Sequence, residues 1–177
     1  MNLRLKRTPG IYLVGFMGSG KSTIGRGLAR HMGWSFFDSD DEIEAAEKMA
    51  ISEIFDTRGE AEFRRIESAI VRQHVSSIER GRPAVLALGG GAFVAEASRQ
   101  LVMANGVAVW LDCPWETVHR RVSQTAHRPL ARDPETLRTL YHERRSVYSL
   151  ADIHVTIESD DPTVAVGAIL RHPIFKK

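Results

Sequence analysis

A three-layer αβα sandwich around a five-stranded, mostly parallel sheet is the fold that the sequence predicts, and three observations predict it. Short apolar runs alternate with segments of helical period along the whole 177-residue chain. The clearest run, Ala84-Val85-Leu86-Ala87-Leu88, is continuously apolar, as expected of a parallel strand covered on both faces. The first run passes straight into a glycine-rich turn and an amphipathic helix, the start of a right-handed βαβ unit.

Ile11 to Val14 is the first strand, and the helix after it carries Ile24, Leu28 and Met32 on one face. Trp34 to Phe37 reads as a short second strand. Asp40 to Lys48 and Ile51 to Thr57 read as helices. A longer helix from about Glu60 to Arg80 has Phe63, Ile66, Ile70 and Ile78 on its apolar face. The strand at Ala84 to Leu88 leads to a helix over Glu96 to Met103, the Asn105-Gly106 turn and a strand over Val107 to Leu111. Pro114 is expected at the first position of the next helix. A polar stretch from Gln124 to Asp133 interrupts the pattern before the helix Pro134 to Tyr148, the strand Ile153 to Ile157 and the helix Pro162 to Leu170. Repeats and linkers are not evident, so residues 1–177 are expected to form one domain, with a helical substrate-binding segment at about 40–80 and a mobile lid at about 121–134.

Composition narrows the function classes. The 24 Lys+Arg against 22 Asp+Glu leave a formal charge of +2, which gives no electrostatic reason to expect a nucleic-acid partner. A single cysteine, Cys113, excludes an internal disulfide framework and a multi-cysteine zinc site. Apolar stretches fall short of the roughly 20 residues that span a bilayer. The basic start followed by Ile11 to Met17 enters Gly18-Ser19-Gly20-Lys21 with no cleavage-like segment, so no membrane association and a cytoplasmic location are expected. Nineteen of the basic residues are Arg and five are Lys. That bias suits anionic ligands, although composition bias alone also produces it.

Gly15-Phe16-Met17-Gly18-Ser19-Gly20-Lys21-Ser22 matches G-x-x-x-x-G-K-[ST] between a strand and a helix, where the physics of phosphate binding requires it. Glycines let successive N–H groups turn inward, and the helix N-terminus adds partial positive charge. Gly18, Ser19, Gly20, Lys21, Ser22 and Thr23 are the expected nucleotide contacts. Lys21 can reach the β- and γ-phosphates, and Ser22 can ligate Mg²⁺. Such a loop implies a nucleoside triphosphate without saying what is done with it.

Acceptor candidates lie elsewhere. Asp38 and Asp40 close the second strand and can divide Mg²⁺ holding, through water, from proton acceptance; equally, both can cap the helix near Asp41. Arg64 and Glu67 share a helix face, as a surface ion pair or as a carboxylate grip with an orienting partner. Gly89, Gly90 and Gly91 permit close backbone approach of a ligand, and Gly90 and Gly91 are candidates to bind it through their N–H groups. Arg128, in the polar interruption with Arg121 upstream, can close over a triphosphate. Arg144 or Arg145 can complete a cationic cradle, while Arg145 also suits the helix C-terminus. His74, Trp110 and Trp115 are read as packing residues.

Together these residues resemble the shikimate kinases, P-loop proteins of the nucleoside-monophosphate-kinase-like group. The resemblance rests on Gly15 to Thr23, D-S-D-x-x-I-E at Asp38 to Glu44, Ile51 to Glu67, Gly89 to Gly91, R-P-L at Arg128 and R-x-x-x-Y from Arg144 to Tyr148. It implies phosphorylation of the 3-hydroxyl of shikimate by ATP with Mg²⁺, on the route to aromatic amino acids; nothing in the sequence demands more than a monomer. Asp40 would deprotonate the attacking hydroxyl, Asp38 would back the metal, and Lys21 and Arg128 would neutralise phosphate charge. Arg64 and Arg144 would hold the shikimate carboxylate, Gly90 and Gly91 its hydroxyls, Phe55 and Phe63 its apolar side, and Arg121 would lie against adenine. One departure stands out: the family often has a basic residue before the proline that follows the last strand, and here the run is Ser159-Asp160-Asp161-Pro162. No adenine contact is assigned there.

Two other readings are a different small-molecule kinase, such as a gluconate kinase, and a kinase-like sensor joined to a DNA-binding region. The first gives no reason for Asp38/Asp40 together with Arg64/Arg144. For the second, about ten residues before the first strand are too few for a helix-turn-helix.

Overall fold

The computed structural model describes residues 10–124 and 133–176. Strands β1 (Gly10–Val14), β2 (Ser35–Asp38), β3 (Ala84–Ala87), β4 (Val107–Asp112) and β5 (Ile153–Thr156) form one sheet in the order β2-β3-β1-β4-β5. Every pairing among them is parallel, so the sheet is wholly rather than mostly parallel. Around it lie seven α-helices among the described residues: α1 (Lys21–Met32), α2 (Ser39–Glu47), α3 (Ile51–Glu79), α4 (Glu96–Ala104), α5 (Trp115–Ser123), α6 (Pro134–Tyr148) and α7 (Pro162–Arg171).

Burial explains the strand sequences. All residues of β1, β3 and β4 are buried, and these are the unbroken apolar runs. At the edge, β5 alternates, with Ile153 and Val155 inward and His154 and Thr156 exposed. With all strands parallel, their C-terminal ends share one rim, where ligands of open α/β sheets bind. On that rim the loop after central β1 is flanked by the loops after β3 and β4.

Helix α3 is two helices joined at a kink, with Gly59 at φ 82 and ψ 169. This left-handed φ favours glycine, and the break falls between the two helices expected from the sequence. Helix α2 and both parts of α3 supply a satellite core, with Ile43 from α2, Ile54 from before the kink and Phe63 and Ile66 from after it, apart from the main core on the sheet. Pro114 differs from expectation. It caps α5 in an extended conformation (ψ 147), and the helix begins at Trp115. No helix among the described residues is long and apolar enough to cross a membrane.

Gly106 is required for space. A Cβ there would strike the backbone carbonyl of Gly10 and lie 2.6 Å from Tyr12 Cε2. Gly106→Ala is therefore expected to destabilise the fold by about 3 kcal/mol, at the upper end of overpacking costs, because backbone cannot yield as a side-chain tip can. Urea unfolding measures this, and a loss below about 0.5 kcal/mol would contradict the crowding.

Candidate active site

The turn from β1 to α1 builds the first part of the rim. Gly20 caps α1 at φ 90, and among the described residues no side chain caps this helix, so its first N–H groups are left to the cleft. Lys21 Nζ donates to the carbonyls of Gly15 (2.9 Å) and Phe16 (3.0 Å), bracing the loop from within. Ser22 Oγ donates to the carboxylate of Asp38. The cavity beside this turn, about 440 Å³, is lined by Gly18, Lys21, Thr23, Arg121, Asp160 and Pro162 among others.

Asp38 makes the cap that the sequence allows and also reaches the phosphate turn. One carboxylate oxygen caps α2 by accepting from the Asp40 N–H (2.9 Å), and the other accepts from Ser22. Asp40 is not a cap, because α2 begins at Ser39 and places Asp40 in its first turn. A second cavity of about 270 Å³ lies on the far side of this acidic pair. Ser22, Asp38 and Asp40 line both cavities.

The second cavity gathers the other predicted residues: Phe55, Phe63, Arg64, Glu67, Gly89 to Gly91 and Arg144. Arg64 Nη1 donates to Glu67 Oε1 (2.9 Å), and its guanidinium lies 5.1 Å from the Phe63 ring centre. Phe63 in turn meets Phe55 at 4.6 Å between ring centres. Arg144 is buried, with its guanidinium 5.9 Å from the ring of Phe16. Two arginines and an apolar wall suit a small ring compound bearing a carboxylate. Burial pushes the Glu67 carboxyl above its ordinary value, and the nearby Asp40 adds to this, while Arg64 and Arg144 pull the other way without prevailing.

The three glycines serve a purpose that the sequence does not reveal. A Cβ on Gly89 would come within 2.7 Å of Asp40 Oδ1 and 2.9 Å of Glu67 Oε2; on Gly90 it would meet Arg144 Nη1 at 3.1 Å, and on Gly91 it would collide with the Arg64 guanidinium. Their missing side chains make room for the charged groups themselves. Gly89, expected among the acceptor contacts, has its N–H engaged within the fold, donating to the buried Ser39 Oγ (2.8 Å).

Other placements differ from expectation or were missed. Arg145 does not merely complement a helix end. It pairs with Asp112, with Nη2 to Oδ2 at 3.0 Å, and lies 5.0 Å from the Trp110 ring centre. Burial raises the Asp112 carboxyl, but hydrogen bonds from Arg145 and His154 outweigh it and hold the group below its ordinary value. Tyr148 ends the R-x-x-x-Y motif and donates to the Gly90 carbonyl (2.5 Å), tying α6 to the glycine turn. Burial pushes its phenol up to about 12. Ser39 and Tyr148 had a signal, since both lie inside quoted motifs; Asp160 had one only as a departure. His74 packs at 4.4 Å from Phe37, and Trp110 stacks on His154, as packing residues should. Arg128, the centre of the expected lid, lies outside the described residues.

A triphosphate-type turn opening into one cavity, with an acidic pair facing a second, cationic cavity, is the layout of a P-loop kinase acting on a small molecule. The family model described as shikimate kinase matches residues 17–172. A shikimate kinase of Cereibacter sphaeroides is 43% identical over 169 residues, covering 94% of this chain and 81% of that protein. Among solved structures, the shikimate kinase of Acinetobacter baumannii in complex with shikimate superposes with a TM-score of 0.86 at 34% identity, over 94% of this chain and 93% of the other. That of Aquifex aeolicus superposes with a TM-score of 0.78 at 34% identity, over 91% and 93%. The chain belongs to the shikimate kinase family, enzymes that use ATP as phosphate donor.

Proposed function

We propose that this chain transfers the γ-phosphate of ATP to the 3-hydroxyl of shikimate, and that Asp40 is its general base. The observation that carries this reading is the shared wall: Asp40 lines both the nucleotide-side and the acceptor-side cavity. Asp40 takes the hydroxyl proton, the oxygen attacks the γ-phosphorus, and the bond to the β-phosphate oxygen breaks to release ADP. Lys21 and Arg128 offset phosphate charge. Arg64 and Arg144 hold the shikimate carboxylate, Glu67 orients Arg64, and Phe55 and Phe63 cover the ring's apolar side. Gly90 and Gly91 offer N–H groups to its hydroxyls. The segment at about 40–80 is thus the acceptor side of the molecule.

Mg²⁺ fits these residues. Among the described residues no cluster of three His, Cys, Asp or Glu side chains forms a cage. The Ser22 hydroxyl and the Asp38 carboxylate are hard oxygen donors in direct contact, suited to an ion that takes its remaining ligands from phosphates and water. Held there by Ser22 and, through water, Asp38, Mg²⁺ would supply neutralisation of phosphate charge. A cytoplasmic monomer completes the reading, supported by an acceptor site and a nucleotide site that one chain supplies.

The test is ADP release from purified protein with ATP and Mg²⁺, and with shikimate, gluconate, each nucleoside monophosphate or no acceptor. ADP formed only with shikimate is expected. Turnover with another acceptor, or silence throughout, would overturn the assignment.

A further inference from the structure

The rim between β5 and α7 lines the nucleotide cavity through Ser159, Asp160 and Pro162. Asp161 is engaged locally, capping α7 by accepting from Thr163 N (2.9 Å). Asp160 reaches outward instead. Its Oδ1 accepts from Arg121 Nη2 (2.7 Å), and Arg120 Nη2 lies 3.0 and 3.1 Å from its two oxygens. Arg121 Nη1 also donates to the Gly18 carbonyl (2.9 Å) in the phosphate turn. The guanidinium is therefore strung between two walls of the cavity by its in-plane donors. A guanidinium gripped at its edges still presents flat faces, which stack on aromatic rings.

We propose that Asp160 is a positioning residue: with Arg120 as its second anchor, it holds Arg121 with its face toward the adenine base of ATP. This rests on the ATP-binding reading above. Two consecutive arginines on α5 both reach the Asp160 carboxylate, which supplies a counter-charge between them. The Arg121 hydrogen bond, reinforced by the charge of Arg120, keeps the Asp160 carboxyl below its ordinary range. The Asp160 side chain is 68% exposed, and exposed ion pairs add little to stability. Its effect belongs to ligand binding.

Plain electrostatics predicts the opposite sign, which makes the inference testable. Removing a negative charge beside a triphosphate site should tighten anion binding, whereas losing the anchor of a stacking arginine should weaken binding of the base. Calorimetric titration without acceptor, using ATP and inorganic tripolyphosphate, separates the two. Asp160→Ala is expected to weaken ATP about tenfold, the scale of one lost stacking contact, while tripolyphosphate binds as well as before or better. Asp160→Glu restores most of the ATP affinity. In turnover, KM for ATP rises while kcat and KM for shikimate move less than twofold. Unchanged or tighter ATP binding in Asp160→Ala, or equal losses for ATP and tripolyphosphate, would overturn the inference. Wild-type protein that binds ATP without phosphorylating shikimate would overturn the acceptor assignment alone, and wild-type protein that fails to bind ATP would overturn both.

Discussion

Asp40→Asn is expected to lower kcat about a thousandfold while changing ATP affinity less than twofold. General bases contribute about 10²–10⁴ in rate, and asparagine keeps the shape of the side chain while losing the proton acceptor. The fold should tolerate the change, because the cap of α2 is made by Asp38 and only the Asp40 N–H takes part in it. ATP affinity is spared because the donors for phosphate come from the turn of residues 15 to 23, whereas the Asp40 carboxylate, on the wall shared with the acceptor cavity, offers ATP none. Steady-state kinetics with shikimate, alongside calorimetric ATP titration, checks both halves. A kcat within tenfold of wild type would remove Asp40 from the base role and leave transfer to positioning and phosphate neutralisation.

What the sequence discloses about this site follows from how far apart the partners lie. The phosphate turn is contiguous, so its residues and their order are visible in one stretch. Arg64 and Glu67 are three residues apart on one helix and meet as helical spacing requires. The alternation of strands and helices, and the break near Gly59, were likewise readable because period and glycine act locally. Boundaries moved by a residue or two: β2 begins at Ser35, not Trp34, and β3 stops at Ala87. The unread features are pairings across the fold. Asp112 with Arg145, Asp160 with Arg121 and Ser39 with Gly89 are 33, 39 and 50 residues apart, and packing alone brings them together. The glycine triplet shows the same limit. A sequence reveals that side chains are absent at Gly89 to Gly91, but only the fold reveals that Asp40, Glu67, Arg144 and Arg64 fill the space.

Glu67→Gln is expected to separate stability from function. The folded environment disfavours the ionised carboxylate, since burial raises its pKa and Arg64 and Arg144 offset that only in part. Near neutral pH the wild type therefore carries a cost that a neutral amide of the same shape avoids, and the variant should melt higher by about 2 °C. The pH dependence follows from proton binding. With its pKa raised in the folded state, Glu67 binds a proton in the native protein before the unfolded chain does, so its penalty fades as pH falls through the raised value. The two melting curves should converge in acid and part toward neutrality, the reverse of a salt-bridged group such as Asp112, whose contribution is lost in acid. Catalysis should move the other way. Glutamine weakens the hold on Arg64, whose guanidinium must stay opposite Gly91 to meet a carboxylate, and kcat/KM for shikimate should fall at least tenfold, mostly through KM. Melting curves from pH 4 to 8 and initial rates over shikimate concentration test both arms. A variant less stable than wild type by the same margin at every pH would show that the Arg64–Glu67 pair is a structural brace, and the proposed orienting role would fall with it.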